Sequence, residues 1–239
     1  MHLKGPHIGK VRKSFVLFIA FLTYFFISGP NWVDFITTTY NQSKLYTYNL
    51  AYGGATVDSD LVKPYRPTVP SLKDQVNKEF FPRYSSRPAY APWASNNTLF
   101  AFWFGINDVG NSYSQRNWTE LYIKIAAEYK RNLELLYTSG AKNFLFLLVP
   151  PVQRSPLTMG HSSDPATQKN ITETEKKAIF DFNTLLTNAA DSLIRNHNDT
   201  TIFVFDTYTL YDTALSNVTA YNETAWLANT TSFCDAYKK

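Results

Sequence analysis

The stretch that most constrains the fold is an apolar run that ends abruptly in small and polar residues. Residues 100–104 read Phe-Ala-Phe-Trp-Phe, and Gly105-Ile106-Asn107-Asp108 follows directly. An apolar run of this length that stops at a turn signal is typical of a strand covered on both faces. In open α/β sheets, ligands bind beyond the carboxyl ends of such strands. The sequence therefore predicts that Asn107 and Asp108 lie at a ligand-binding crevice.

The rest of the chain alternates between strand-like and helix-like segments. Short apolar runs predict further strands, and apolar residues at helical spacing predict helices between them. This alternation predicts a three-layer α/β/α sandwich with a mostly parallel sheet. Residues 159–170 are predicted to form a polar loop. The predicted strands cover residues 45–51, 100–104, 144–149 and 201–205, and the predicted helices cover residues 32–36, 72–81, 121–137, 179–193 and 209–215.

Two of the predicted turns contain groups that donate hydrogen bonds. Gly53-Gly54 follows the strand at residues 45–51, and Gly105-Ile106-Asn107-Asp108 follows the strand at residues 100–104. The backbone N–H of Gly54 and the side-chain N–H of Asn107 would together form an oxyanion hole, which stabilises developing negative charge. The alternative is that Gly-Gly and Asn-Asp are ordinary turn residues.

The overall composition excludes several classes of function. The net charge of +4 is mild, and no basic stripe occurs beyond the N-terminus, which argues against a nucleic-acid-binding surface. The single cysteine, Cys234, excludes an internal disulfide and any cysteine-based metal site. It is either a free thiol or half of a bridge to a cysteine outside this sequence. We expect no cofactor and no metal.

The N-terminal segment, residues 1–28, differs from the rest of the chain. Basic residues precede an apolar run at residues 15–27, as in a signal peptide or an uncleaved membrane anchor. The alternative is that this segment is non-coding sequence read as protein. Eight Asn-x-Ser/Thr acceptor sites favour a secreted glycoprotein: Asn41, Asn96, Asn117, Asn170, Asn198, Asn217, Asn222 and Asn229. We therefore expect an extracellular protein, either free or anchored through residues 15–27.

The motifs occur in the order of a known family. Tyr-Asn-Leu-Ala-Tyr-Gly-Gly-Ala-Thr at residues 48–56 and Gly-Ile-Asn-Asp at residues 105–108 resemble blocks II and III of the SGNH, or GDSL, hydrolases. Gly-Pro-Asn-Trp-Val at residues 29–33 and Val-Pro-Pro-Val at residues 149–152 are similar to fungal acetylesterases of carbohydrate esterase family 16. The resemblance covers residues 29–239. It implies a flavodoxin-like α/β/α fold and removal of acetyl groups from sugars and oligosaccharides.

The resemblance also implies roles for five residues. Gly54 and Asn107 would be the oxyanion-hole donors, and Gly53, Gly105 and Asp108 would support them. The implied partner is a small acetylated carbohydrate. Since the family is one of serine ester hydrolases, a nucleophilic serine and a histidine base are required as well.

The chain departs from the family pattern at both catalytic blocks. No Gly-Asp-Ser occurs in the sequence, and Ser14, Ser28 and Ser59 lack the context of a nucleophile. No histidine has an aspartate three residues before it, and we expect His161 and His197 to be surface residues. Residues 234–237, Cys-Asp-Ala-Tyr, resemble the stretch just before the family's last block. The sequence thus predicts an incomplete SGNH domain at residues 29–239, without nucleophile or base.

Two further consequences follow from the missing first block. The first strand of a flavodoxin-like sheet is central, and we expect the sheet of this chain to lack it. Residues 16–22 could instead fill this place as a strand, or they could form a helix. An incomplete catalytic site also leaves a second function open. The chain would then be a non-catalytic carbohydrate-binding glycoprotein, with Trp93, Trp103 and Tyr113 stacking on sugar rings.

Overall fold

Five parallel strands form one sheet in the spatial order β2-β1-β3-β4-β5. The computed structural model describes residues 13–19, 31–41 and 43–232. The strands are β1 (Lys13–Ile19), β2 (Leu45–Asn49), β3 (Thr98–Trp103), β4 (Asn143–Leu147) and β5 (Thr201–Phe205). The helices are α1 (Trp32–Asp34) with a π-helical continuation (Phe35–Thr39), α2 (Leu72–Asp74) with a π-helical continuation (Gln75–Phe80), α3 (Phe81–Arg83), α4 (Ile106–Gly110), α5 (Trp118–Thr138), α6 (Pro156–Met159), α7 (Pro165–Asn196) and α8 (Thr207–Ser216). Short 3₁₀ turns cover Val152–Arg154 and Val218–Ala220.

The centre of the sheet is occupied by β1. Its backbone pairs in parallel with β2 on one side and with β3 on the other. The prediction that the sheet lacks its first strand is therefore wrong. An empty central position would leave the facing edges of β2 and β3 unpaired, and this apolar, β-branched and aromatic segment suits a strand. The alternative, a strand at residues 16–22 in this place, is confirmed with both ends shifted by three residues towards the N-terminus.

The other element predictions are largely confirmed, with one error in the predicted polar loop at residues 159–170. That region contains the end of α6 and the beginning of α7, which starts at Pro165. Asp164 caps this helix, because its carboxylate accepts a hydrogen bond from the amide of Thr167 at 2.8 Å. An acidic N-cap followed by proline at the first helical position is a strong start signal. A long polar stretch separates this start signal from the apolar stripe of the helix. The sequence pattern of that stretch therefore indicated a loop.

One face of the sheet is covered by a dense aromatic core. Phe102 and Phe146 stack with ring centroids 5.5 Å apart, and Tyr129 of α5 packs against them at 6.2 and 6.1 Å. All three side chains are fully buried. Trp93 also lies in this core, against Phe100 at 5.4 Å, so it is not available to stack on a sugar.

The opposite face is covered near its centre and open at β5. Trp32 of α1 packs on Trp103 with ring centroids 6.0 Å apart, and Trp103 is buried, which again excludes sugar stacking. The register places Phe203 beside Leu145, and Leu145 beside Ala101, so these side chains point away from the aromatic core. Phe203 is 54% exposed. In the described part of the chain, no helix is long and apolar enough to cross a membrane.

Candidate active site

The first turn of the site follows β2 and contains two glycines. Gly54 has a φ of +84°, the left-handed region that a type II turn requires at its third residue. The amide of Ala55 donates to the carbonyl of Tyr52 at 3.2 Å and closes the turn. A Cβ on Gly54 would lie 2.2 Å from Cε1 of Tyr65. Conformation and packing therefore both require glycine here.

The second turn follows β3 and starts helix α4. Gly105 is the residue before the helix and has a φ of +116°. A Cβ at this position would lie 2.4 Å from Cε1 of Phe182 and 2.5 Å from Cγ2 of Val149. The close approach of backbone to these two side chains places the first turn of α4, with Asn107 and Asp108, directly on the core. The side chains of Asn107 and Asp108 are both buried.

Two hydrogen bonds join these turns. The carboxamide nitrogen of Asn107 donates to the carbonyl of Ala55 at 3.0 Å, and the amide of Val57 donates to Oδ1 of Asp108 at 3.0 Å. The partners are 52 and 51 residues apart in sequence. A carboxamide nitrogen has two hydrogens, so the bond to Ala55 orients Asn107 without using its whole donor capacity. The structure thus brings the turn of Gly54 and the side chain of Asn107 together.

The end of β1 lies between the two turns, because β1 separates β2 from β3 in the sheet. In this strand order the ligand crevice lies at the β1/β3 switch point. A nucleophile would therefore be expected directly after Ile19, where β1 ends. The sequence there reads Ala20, Phe21 and Leu22, which have no nucleophilic side chain and lie outside the described residues.

Asp108 is the most strongly perturbed acid at this edge of the sheet. Its side chain is fully buried, and its second oxygen, Oδ2, has no hydrogen-bond partner among the described residues. Burial raises the pKa of Asp108 to about 7, although the amides of Val57 and Gly105 favour the charged form. The nearby carboxylate of Asp58 raises the pKa further. Asp108 is therefore largely neutral below neutral pH.

Two buried polar residues of α7 were not predicted from the sequence. Asn183 binds both backbone groups of Val149, accepting from its amide at 2.7 Å and donating to its carbonyl at 3.0 Å. Glu175 is buried beneath α6, and burial raises the pKa of its carboxyl although the hydroxyl of Thr158 opposes this. Each lies four residues from Ile179 and interrupts the apolar stripe of the helix. That interruption was the available sequence signal.

Comparison with known proteins decides the family. The model of the GDSL-like lipase/acylhydrolase family matches residues 21–226, which is most of the chain. The chain belongs to this family. The GDSL assignment from blocks II and III is confirmed, and so is the α/β fold with a parallel sheet.

Two curated relatives of this GDSL protein are longer than the region they share with it. An acetylesterase from Thermothelomyces thermophilus is 39% identical over 193 residues, which is 81% of this chain and 62% of the relative. A thermolabile hemolysin from Vibrio parahaemolyticus serotype O3:K6 is 27% identical over 195 residues, which is 80% of this chain and 40% of the relative. The chain thus spans less than two thirds of the length of either relative.

Two solved structures are also similar to this chain. A lipolytic protein of the G-D-S-L family from Veillonella parvula has a TM-score of 0.48 at 13% identity, covering 86% of this chain and 84% of that one. An acetylxylan esterase from Geobacillus stearothermophilus has a TM-score of 0.43 at 14% identity, covering 86% of this chain and 80% of that one.

No hydrogen bond joins a serine hydroxyl to a histidine ring in the described part of this GDSL protein, and Ser112, beside the second turn, is buried and donates to the carbonyl of Asp108 at 2.5 Å. Ser14 is near the amino end of β1, opposite the crevice, and Ser59 is half-buried in the loop before α2. His161 is exposed, as expected. His197 is not a free surface residue, because its ring stacks on Tyr137 at 3.6 Å and bonds Glu134 at 2.7 Å, near the amino end of β5. Ser28 and residues 234–237 lie outside the described part of the chain.

Proposed function

We propose that this chain carries the oxyanion-binding part of a carbohydrate acetylesterase site, with Gly54 and Asn107 as donors. The observation that carries the proposal is the 3.0 Å bond from Asn107 to Ala55, which holds the block III side chain against the block II turn. Gly53, Gly105 and Asp108 shape and join these turns. The 39% identity to an acetylesterase supports an acetyl ester as the substrate. We take residues 29–239, together with β1, as the hydrolase domain.

We further propose that the 239-residue chain hydrolyses esters slowly. Serine esterases need a nucleophile activated by a positioned base, and among the described residues no hydrogen bond joins a serine hydroxyl to a histidine ring. Donors without a nucleophile lower the barrier only for attack by water. Removing one donor in a known protease case costs about 2.7–4 kcal/mol, so a residual effect of this size is the most that Asn107 would supply.

Hydrolysis of p-nitrophenyl acetate by the purified chain tests this proposal. We expect a small rate above buffer, without a burst of p-nitrophenol, because no acyl-enzyme forms. The N107A variant should remove this rate, and S59A should leave it unchanged. The N107A effect is interpretable only if the variant still folds, which circular dichroism and thermal melting check.

A fast reaction with a burst would contradict the proposed impairment. If this reaction survived S59A and fell in N107A, a different nucleophile would act beside the predicted oxyanion hole. A rate that N107A left unchanged in the folded protein would instead contradict the assignment of Asn107. The first outcome thus tests whether the chain is impaired, and the second tests whether Asn107 belongs to its site.

Carbohydrate binding without catalysis is the alternative function, and the rings beside Gly54 favour it. Tyr65 packs against Gly54 and is 48% exposed, and Tyr52, in the same turn, is 43% exposed. Exposed tyrosine rings next to a crevice suit stacking on the apolar face of a sugar. With Trp93 and Trp103 buried, these two rings replace them as the candidates. Tyr113 remains half-buried.

Titration calorimetry with acetylated xylo-oligosaccharides distinguishes the two functions. Binding without hydrolysis that is lost in Y65A and kept in Y90A would support the alternative. Tyr90 is a suitable control because it is exposed and lies in the loop before β3. Equal binding by both variants would exclude Tyr65 as a sugar-stacking residue.

We also propose that the protein is a secreted glycoprotein. Seven of the eight acceptor residues are exposed in the described structure with no side-chain bond to another element, and Asn229 and Asn217 each accept a hydrogen bond from the threonine of their own acceptor site. Anchoring through residues 15–27 is the alternative, although residues 15–19 of this segment lie in β1. Mass loss on treatment with a peptide N-glycosidase, after expression in a secreting eukaryotic host, tests the glycans.

A further inference from the structure

Asp108 is an ionisable residue at a buried position where a neutral residue would destabilise the folded protein less. Its carboxyl is fully buried and accepts one bond from another segment, from the amide of Val57 at 3.0 Å. Burying a carboxylate whose second oxygen, Oδ2, has no hydrogen-bond partner among the described residues destabilises the folded protein. An asparagine has the same shape and offers an oxygen that would accept the same bond. Joining the two turns therefore does not by itself require a carboxyl group.

What distinguishes aspartate from asparagine here is the ability to change charge. Asp108 adjoins Asn107 in sequence, and its partner Val57 lies three residues after Gly54. An anion held by the donors of Gly54 and Asn107 would share this dry environment with the Asp108 carboxyl. Two negative charges close together in a region of low dielectric repel each other strongly. A neutral Asp108 keeps the bond to Val57 without this repulsion.

We propose that Asp108 is a positioning residue whose protonation controls anion binding at Gly54 and Asn107. In the neutral state it joins the two turns, and in the ionised state its charge opposes the anion. The proposal rests on the proposed function for the identity of the donors. It assigns no role in bond making or breaking to Asp108.

The groups that face Asp108 allow this change near neutral pH. From the block II loop, Asp58 acts on it with a negative charge, part of which is offset by Lys73 at 3.0 Å. From α5, Tyr122 and Tyr129 face it, and burial raises the pKa of both phenols, so both remain neutral. On α7, the negative charges of Asp181 and Glu175 also raise the pKa of Tyr122. Since burial raises the pKa of Asp108 to about 7, its charge changes in the range where esterases are assayed.

Nuclear magnetic resonance of the full chain tests the proposal without requiring catalysis. Between about pH 5 and pH 9, the backbone amides of Gly54 and Val57 and the side-chain amide of Asn107 should titrate together, with a midpoint near 7. Acetate, which is mostly ionised at about pH 5 and almost fully ionised from about pH 6.5 upward, serves as the anion probe. We expect its affinity to fall at least fivefold as the pH rises through the midpoint.

The D108N and E175Q variants provide the matched comparison. D108N should abolish both the shared titration and the pH dependence of acetate binding. E175Q removes another buried carboxyl, one that bonds neither turn, and should leave both unchanged. If D108N does not fold, the titration of the wild-type chain and of E175Q still decides the question.

The outcomes separate this inference from the proposed function. A shared titration without acetate binding would support the coupling of Asp108 to the turns and contradict the oxyanion role of Gly54 and Asn107. Acetate binding with no common midpoint near 7 would overturn the role of Asp108 and support the oxyanion donors. Loss of the shared titration in E175Q would also overturn it, since the charge change would then belong to Glu175.

Discussion

Strands β3 and β5 belong to the same parallel sheet and have similar apolar sequences, but their surroundings differ. β3 is buried along nearly its whole length, whereas all five residues of β5 keep some exposure. Each strand leads to an aspartate at the start of a helix. Asp108 is buried and bonds Val57, 51 residues away, whereas Asp206 is exposed and caps its own helix through the amide of Thr209 at 2.9 Å.

The comparison shows that the same local pattern gives two joined turns at the candidate site in one place and a helix cap in the other. A strand end becomes a site when a second turn is packed against it, so that its polar side chains bond across the sheet instead of within their own helix. In the described structure, β3 has such a neighbour in the Gly53-Gly54 turn. The predictions below test this difference from the largest expected effect to the smallest.

The largest difference is expected between matched phenylalanines of the two strands. F102A removes a fully buried side chain from the aromatic core and should lower the free energy of unfolding by about 4 kcal/mol. F203A removes a side chain that is 54% exposed and should cost about 1 kcal/mol or less. Urea denaturation of both variants measures the difference. Equal losses of unfolding free energy in the two variants would mean that β5 is covered in solution. The proposed difference between β3 and β5 would then be wrong.

A substitution at the start of α4 tests how tightly the site turn is packed. G105A places a Cβ 2.4 Å from Phe182 at a φ of +116°, and strain plus overpacking should cost about 3 kcal/mol. G110A is the control in the same helix, because a Cβ there meets no atom within 4 Å. It should be neutral or slightly stabilising. If thermal melts show the two variants equally destabilised, the close approach at Gly105 is not what positions the site.

The buried carboxyl should also make stability depend on pH. The pKa of Asp108 is raised from 3.8 to about 7, so its contribution favours the folded state fully below pH 3.8 and is lost as the pH rises to about 7. At about 1.4 kcal/mol per pH unit, this loss is on the order of 4 kcal/mol. D108N avoids this loss. It buries an amide N–H₂ that lacks an acceptor, however, which should lower the free energy of unfolding by about 1–3 kcal/mol.

D108N should therefore be more stable than the wild-type chain by about 2 kcal/mol at pH 8, and less stable at pH 4. Urea denaturation at both pH values gives this comparison directly. A variant that was less stable at both values, by the same amount, would show that Asp108 is ionised in the folded chain at pH 4.

The smallest effect is expected for an ion pair that joins α8 to the 3₁₀ turn at Val152–Arg154. Arg154 donates through Nη1 to Oδ1 of Asp212 at 2.7 Å and to Oγ of Ser216 at 2.8 Å. Both charged side chains are about one third exposed or more, so R154A should cost only about 0.5–1 kcal/mol. K169A breaks a more exposed pair and should have no measurable effect. A loss above about 2 kcal/mol in R154A would mean that α8 is essential to the packing of this region.

Much of the fold and part of the site followed from local sequence patterns. The apolar run at residues 100–104 and the turn at Gly105 were read correctly, because a covered strand and a glycine at positive φ have strong local signals. From the sequence alone, the place of β1 is open between an absent strand, a strand at residues 16–22 and a helix, since this segment resembles a targeting sequence. Trp93 and Trp103 were open to both a core and a surface interpretation, and only packing decides between them.

The bonds that join the two turns were beyond what sequence reasoning reaches. They connect residues more than 50 positions apart, and no periodicity specifies which oxygen accepts which hydrogen. Family resemblance named Asp108 as a supporting residue without saying how it acts. Asn183 and Glu175 had a signal, as polar interruptions of an apolar helical stripe, but such interruptions occur in many helices for other reasons.

The central position of β1 has a consequence for how the chain folds during synthesis. β1 pairs with residues 45–49 and with residues 98–103, so its second edge stays uncovered until residues 98–103 have left the ribosome. Contacts between segments so far apart form slowly, because a long loop must close before they stabilise anything. During that interval an apolar strand is exposed to chaperones and to other nascent chains. A strand that has a partner on both sides in the mature sheet is thus the one whose second partner is synthesised latest after it.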